Sequence, residues 1–260
     1  MPSADGRTAT PSPGAGRPTR QAEAGDAMVP THSETAPQPG SVPAASAHAA
    51  AFEVLRVDAA ATADTLMSVI AREVTAHIVE APGFLLSRLH VALDGRAVVH
   101  HTRWRSEADY RASGLGDVRA GALRGLHRRP GVVSATVFLG APAGGISGPA
   151  AGRAPGVVAV ATRHFAGPRQ AGEVVALLHR TGTWKRDFPG FIRATPYLSP
   201  DRRTFVNYPM WTDRAAYDAW MADPRIAEGQ SEISRYETAP PEYLVCTVAS
   251  ETAAPSATAC

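Results

Sequence analysis

The chain has 260 residues, 44% of them hydrophobic and 19% charged, with 26 basic against 24 acidic side chains. This length and apolar fraction suit one large domain or two small ones with cores of their own, and exclude collagen-like or wholly disordered chains. A net charge of +2 is too weak for a nucleic-acid binder.

Residues 1–50 hold 8 Pro and 5 Gly but no Phe, Tyr, Trp, Leu or Ile. Such a segment cannot bury enough surface to offset chain entropy, so a disordered N-terminal tail is expected. No apolar run approaches the ~18 residues of a membrane span, and the N-terminus lacks a charged-then-apolar signal pattern. The expectation is a cytoplasmic protein with no membrane or nucleic-acid partner. Cys246 and Cys260 make no disulfide framework and read as one core thiol and one incidental thiol.

From Phe52 the patterns alternate. Phe52 to Val57 is strand-like, and Thr62 to Val79 places Leu66, Val69, Ile70, Val74, His77 and Ile78 on one helical face. After Pro82-Gly83, two strands, Phe84 to Ala92 and Ala97 to Trp104, flank the turn Asp94-Gly95. A helical stretch from Ser106 to about His127 and a strand from Val132 to Leu139 complete the order β-α-β-β-α-β. The Gly-, Ala- and Pro-rich residues 141–155 read as a linker. A second pass follows: Val157 to His164, a helix opened by Pro168, Phe191 to Ser199, Arg203 to Trp211, a helix from Asp213 to Met221, and Tyr243 to Ala249. Residues 251–260 read as a C-terminal tail.

The two passes keep one register. At an offset of 107, Pro82-Gly83-Phe84 meets Pro189-Gly190-Phe191, Asp94-x-Arg96 meets Asp201-x-Arg203, Trp104 meets Trp211, Ala108 meets Ala215 and Tyr110 meets Tyr217. The expectation is a duplicated α+β chain, with tandem ferredoxin-like domains at 51–140 and 156–250. A sheet with helices on one face must cover its other face, so the two sheets are expected to pack as a pseudo-dimeric α+β barrel.

Strand alternation puts Phe205, Asn207, Pro209 and Trp211 on one face. Tyr217 follows on the next helix, and Trp184 is the offset-107 counterpart of His77. One pocket is therefore expected from Asn207, Trp211, Tyr217 and Trp184, and another from His100, Trp104, Tyr110 and His77. His101, on the opposite face, reads as structural.

The N-x3-W-x5-Y pattern of Asn207, Trp211 and Tyr217 resembles the antibiotic biosynthesis monooxygenase family, over about residues 52–250 in two copies. The resemblance implies a dimeric α+β barrel. Tandem members resemble oxygenases of aromatic polyketide pathways, in particular those that open an angucycline ring by carbon–carbon cleavage. Simpler relatives oxidise anthrones with molecular oxygen and no metal or prosthetic group. The ring-opening relatives imply reduced flavin as a diffusible cosubstrate, from a separate flavin reductase. Haem-degrading relatives place a His about ten residues beyond the strand-three Trp, where this chain has Gly114 and Met221, which argues against haem.

The chemistry suits these residues. Asn207, Trp211 and Tyr217 are donors for a developing oxyanion, His100 and His77 are candidate acid–base groups, and Trp104, Tyr110 and Trp184 are candidate walls for a flat polycyclic substrate. Two alternatives stand beside this: a small-quinol monooxygenase, and a non-catalytic barrel that binds an aromatic ligand. Trp104 and Trp211 also suit plain core packing, and Tyr110 and Tyr217 a helix anchor. A further homo-oligomer is compatible with the sequence. No P-loop, HExxH or metal-spaced Cys pair is present.

Overall fold

The computed structural model describes residues 48–115, 123 and 125–255. The expected N-terminal tail lies almost wholly outside them, as do Cys260 and most of the segment between Leu115 and Gly125. In chain order the elements are β1 (Ala49–Val57), α1 (Ala60–Glu73), β2 (Phe84–Ala92), β3 (Ala97–Trp104), α2 (Glu107–Ala112), β4 (Val132–Pro142) and β5 (Ile146–Ser147), then β6 (Val157–His164), α3 (Pro168–Thr181), β7 (Phe191–Leu198), β8 (Thr204–Trp211), α4 (Arg214–Ala222), α5 (Pro224–Ser234) and β9 (Glu242–Ala253). Among the described residues no helix is long and apolar enough to cross a membrane.

The strands form one antiparallel sheet in the order β4-β1-β3-β2-β9-β6-β8-β7, and β4 returns to pair with β7, closing an eight-stranded α+β barrel. Within each half the strands lie in the ferredoxin-like order, fourth-first-third-second. The halves meet at two seams of unequal length. β2 and β9 pair from Leu86 opposite Ala253 to Ala92 opposite Cys246. β4 and β7 pair at Ala141 opposite Leu198 and Pro142 opposite Tyr197. Closure removes the open edges that each four-strand sheet would otherwise expose.

The recurring sequence signature has a local physical cause at each position. Gly83 and Gly190 have φ of +80° and +73°, and a Cβ there would stand 2.3 Å from Asp109 or 2.5 Å from Ala216, so only glycine turns the chain there. The turn delivers Phe84 opposite Trp104 and Phe191 opposite Trp211. In the β2–β3 and β7–β8 turns, Asp94 and Asp201 accept hydrogen bonds from the backbone N–H of Arg96 and Arg203, at 2.9 and 3.1 Å. Ser106 and Asp213 then cap α2 and α4. Each helix brings a tyrosine edge-on to the preceding tryptophan: Trp104–Tyr110 at 6.0 Å and Trp211–Tyr217 at 5.0 Å between ring centroids.

Alternation along the strands separates an outer, helix-covered face from the barrel interior. Leu55, Val98 and Trp104 pack outward with Leu66, Val69 and Ile70 of α1. Phe52, Val99, Val160, Tyr208 and Met210 fill the interior. Cys246 is buried there too. His101, on the face opposite His100, lies in the barrel interior and stacks on Phe52 with centroids 4.3 Å apart. His90 and Tyr208 share a 2.8 Å hydrogen bond that joins β2 to β8. Burial pushes the His90 imidazole down to about 3 and holds His101 well below the usual histidine range, so both stay neutral.

Several expected boundaries shift. β1 begins at Ala49, inside the expected tail, and β9 runs on to Ala253 because it pairs with β2. The expected linker is anchored on the sheet: Ile146 and Ser147 pair with Ala194 and Arg193, and Ala150 is buried. The helix after Ser106 ends as α2 at Ala112, and part of its expected length lies outside the described residues. The helix Pro224–Ser234 is absent from the sequence reading, although Asp223 caps it, Pro224 opens it and Ile226 and Ile233 supply its buried face.

Candidate active site

A cavity of about 620 Å³ lies between the outer face of the second-half strands and α3, α4 and α5. Its size is that of a small-molecule site. Asn207, Pro209 and Trp211 reach it from β8, Tyr217 from α4 and Trp184 from the 3-10 turn after α3. The structure thus brings all four residues of the expected second pocket together.

Small side chains open the floor. On β6, Ala161 stands opposite Asn207. On β7, Pro196 stands opposite Asn207 and Ala194 opposite Pro209. Trp184 forms a wall with Trp220, their centroids 5.3 Å apart. Lys185 Nζ lies 5.6 Å from the Trp220 centroid, and the Arg225 guanidinium lies 3.9 Å from that of Trp184, both at cation–π range. Burial holds the Lys185 ammonium below its ordinary value.

The first half fills the corresponding space with side chains. Glu53 stands opposite His100 on the neighbouring strand, as Ala161 does opposite Asn207. Ser87 replaces Ala194 and hydrogen-bonds His100 Nε2 at 3.0 Å. Thr102 replaces Pro209, and its hydroxyl accepts the Trp104 Nε1–H at 3.0 Å. Trp104, His100 and Tyr110 are only 0%, 3% and 6% exposed. His100, Trp104 and Tyr110 are therefore packed groups.

His77 does not join them. The turn Val74–Ile78 is π-helical and keeps Val74 and Ile78 buried, and its wider winding rotates His77 off the apolar stripe. Its side chain is 69% exposed and faces Glu73 at 4.0 Å.

The two tryptophans differ in one respect. Trp104 Nε1 is satisfied by Thr102, whereas Trp211 Nε1 is buried without a hydrogen-bond partner among the described residues. Proline at 209 offers no side-chain acceptor. A buried N–H costs free energy until something accepts from it, and this one belongs to a residue of the cavity wall.

Two titrating groups of the first half have opposite linkage. Burial pushes the Glu53 carboxyl up to about 7 and the His100 imidazole down to about 4. The folded state holds the Glu53 proton where the unfolded chain, at 4.5, has lost it. Its stability contribution is therefore full below about 4.5 and lost as pH rises through 7. The His100 contribution runs the other way, full above 6.5 and lost as pH falls toward about 4. Glu53→Gln is expected to be more stable than wild type at pH 8 by about 2–3 kcal/mol. Urea midpoints should show that advantage shrinking as pH falls below 7 and absent near pH 4.5.

Glu53 escaped the sequence reading, although it interrupts the apolar alternation of Ala51, Leu55 and Val57 on one face of β1. The buried pair Arg163 and Glu237, beside the cavity, escaped for a different reason. Their contact joins residues 74 positions apart.

The eight-stranded α+β barrel thus carries, beneath the helices of its second half, a cavity lined by aromatic side chains and hydrogen-bond donors. Residues 157–232, the part of the chain that holds Asn207, Trp211 and Tyr217, match the model of the antibiotic biosynthesis monooxygenase family. The tetracenomycin-F1 monooxygenase of Streptomyces glaucescens is 41% identical over a 49-residue alignment that covers 16% of this chain and 44% of that protein. The match thus spans less than half the length of this relative. The crystal structure of an anthrone oxidase-like protein shares the fold over 80% of this chain and 94% of its own, at a TM-score of 0.67 and 15% identity. A monooxygenase of Streptomyces coelicolor, solved in complex with nanaomycin D, is 35% identical over 36% of this chain and 87% of that one, at a TM-score of 0.35.

Proposed function

We propose that the chain is an oxygenase that oxidises a phenolic polycyclic aromatic substrate with molecular oxygen in the second-half cavity. The observation that carries this reading is the buried Nε1–H of Trp211, without a partner among the described residues, on a residue of the cavity wall that Asn207 and Tyr217 also line. Donors grouped in an apolar cavity stabilise negative charge that develops on a bound carbonyl oxygen. The similarity to the tetracenomycin-F1 monooxygenase supports a polyketide-type substrate of several fused rings.

In this reading the substrate binds as its anthrone or phenol tautomer, and the donors favour loss of the anthrone C–H or the phenol O–H proton to give the same enolate. The enolate gives one electron to oxygen, the resulting radical and superoxide combine as a peroxide anion, and that anion takes a proton back to become the hydroperoxide. Loss of water leaves a ketone: one oxygen atom enters the product and the other leaves as water. Ring opening of an angucycline-type quinone is the finer alternative, read from the product. Asn207, Trp211 and Tyr217 act on the substrate oxygen, Trp184 flanks its rings, and Trp104, Tyr110 and His100 stabilise the first half. The matched signatures of the two halves support descent from one duplicated domain into an internal pseudo-dimer.

The test is turnover of 1,8-dihydroxyanthrone and of tetracenomycin F1 under ¹⁸O₂, with and without reduced flavin. Quinone carrying one labelled oxygen, formed without flavin and slowed about 10²–10³-fold by Asn207→Ala, is the expected result. Activity only with reduced flavin and a reductase would replace the cofactor-free scheme with the flavin-dependent one. Tight binding without oxygen uptake would support the non-catalytic barrel.

A further inference from the structure

Arg163 is a cation in an apolar wall. It lines the cavity from β6, its side chain is 6% exposed, and it is ion-paired with Glu237, whose side chain is 3% exposed. Burying such a pair is costly unless its remaining hydrogen-bonding groups are used. Here one is: Arg163 Nη2 donates to the hydroxyl oxygen of Tyr243, with the guanidinium 5.6 Å from that ring's centroid. Tyr243 also lines the cavity. Because its oxygen accepts from a cation, its own O–H is polarised and left to be donated elsewhere.

Strand register places the backbone of Tyr243 relative to that of Asn207. Ala161 on β6 stands opposite Asn207 on β8 and opposite Tyr243 on β9. The Cα atoms of Asn207 and Tyr243 therefore lie two strand spacings apart, about 10 Å, on either side of an alanine. A flat molecule resting on Ala161 meets a polar group at each end.

We propose that Tyr243, held in place by the buried Arg163–Glu237 pair, is the second polar anchor of the cavity and selects substrates with an oxygen function at both ends of a frame of about three fused rings. This rests on the oxygenase reading for the nature of the ligand. Tyr243 touches the substrate, whereas Arg163 is a positioning residue that acts through it.

The test compares 2,6-dihydroxyanthraquinone with 2-hydroxyanthraquinone by quenching of tryptophan fluorescence. Three of the four tryptophans, Trp184, Trp211 and Trp220, line the cavity. Wild type is expected to bind the dihydroxy compound about tenfold more tightly, the worth of one good hydrogen bond. Tyr243→Phe, at a partly exposed position, should bring the ratio to about one without changing affinity for the monohydroxy compound. The double variant Arg163→Met with Glu237→Leu removes the pair without stranding a charge and should lower the same ratio. A ratio that survives Tyr243→Phe, or none in wild type while both compounds bind, overturns the anchor alone. If neither compound quenches, the aromatic cavity site falls, and the anchor with it.

Discussion

Trp211→Phe is expected to lower kcat/KM for substrate oxidation by about 10²-fold while moving the thermal midpoint by only a few degrees. Phenylalanine retains an aromatic wall but lacks the indole N–H, which in the free protein has no acceptor among the described residues. Its removal therefore breaks no hydrogen bond of the folded chain and relieves a buried donor. The loss falls on the transition state, where charge collects on the substrate oxygen. Steady-state kinetics beside a thermal melt separates the two effects. Unchanged kcat/KM in Trp211→Phe would remove this indole from the chemistry and leave it a packing role.

The mirror substitution has the opposite profile. Trp104→Ala is expected to cost about 3–5 kcal/mol and to lower Tm by about 6–20 °C, with activity per folded molecule retained. Trp104 is fully buried, packs at 5.5 Å between centroids on Phe84 and at 6.0 Å on Tyr110, and donates to Thr102. The indole is the centre of that cluster, and its loss leaves a cavity and an unpaired hydroxyl. A calorimetric melt with an assay below the transition checks both parts. Loss of activity in a fully folded Trp104→Ala protein would place a working site in the first half.

The contrast between these tryptophans shows how far the sequence could be read. Their positions and the faces they share followed from strand alternation and from a register of recurring residues, because these are local rules. The Pro-Gly-Phe turns, the Asp-x-Arg turns and the Trp–Tyr pairs are set by neighbours within a few residues, and all were legible. The inequality of the halves was legible only as His100 standing where the second half has Asn207. It depends on which side chains face each other across β1 and β3 or across β6 and β8: Glu53 against His100 in one case, Ala161 against Asn207 in the other. Helical periodicity placed His77 inward because it assumes a regular α-helix, and one π turn is enough to defeat it. Arg163 and Tyr243 looked like ordinary strand residues, since their partnership forms only when β6 and β9 pair.

The seam between β2 and β9 has a consequence for how the molecule is made. β9 lies between β2 and β6, one strand from each half, and it is the last of the described strands to leave the ribosome. Until residues 242–253 emerge, β2 and β6 both present unpaired backbone edges, and the second half lacks its fourth strand while the first already holds all four of its own. From the emergence of β6 until that of β9 the nascent chain must keep two adhesive edges apart, and a single late strand then covers both.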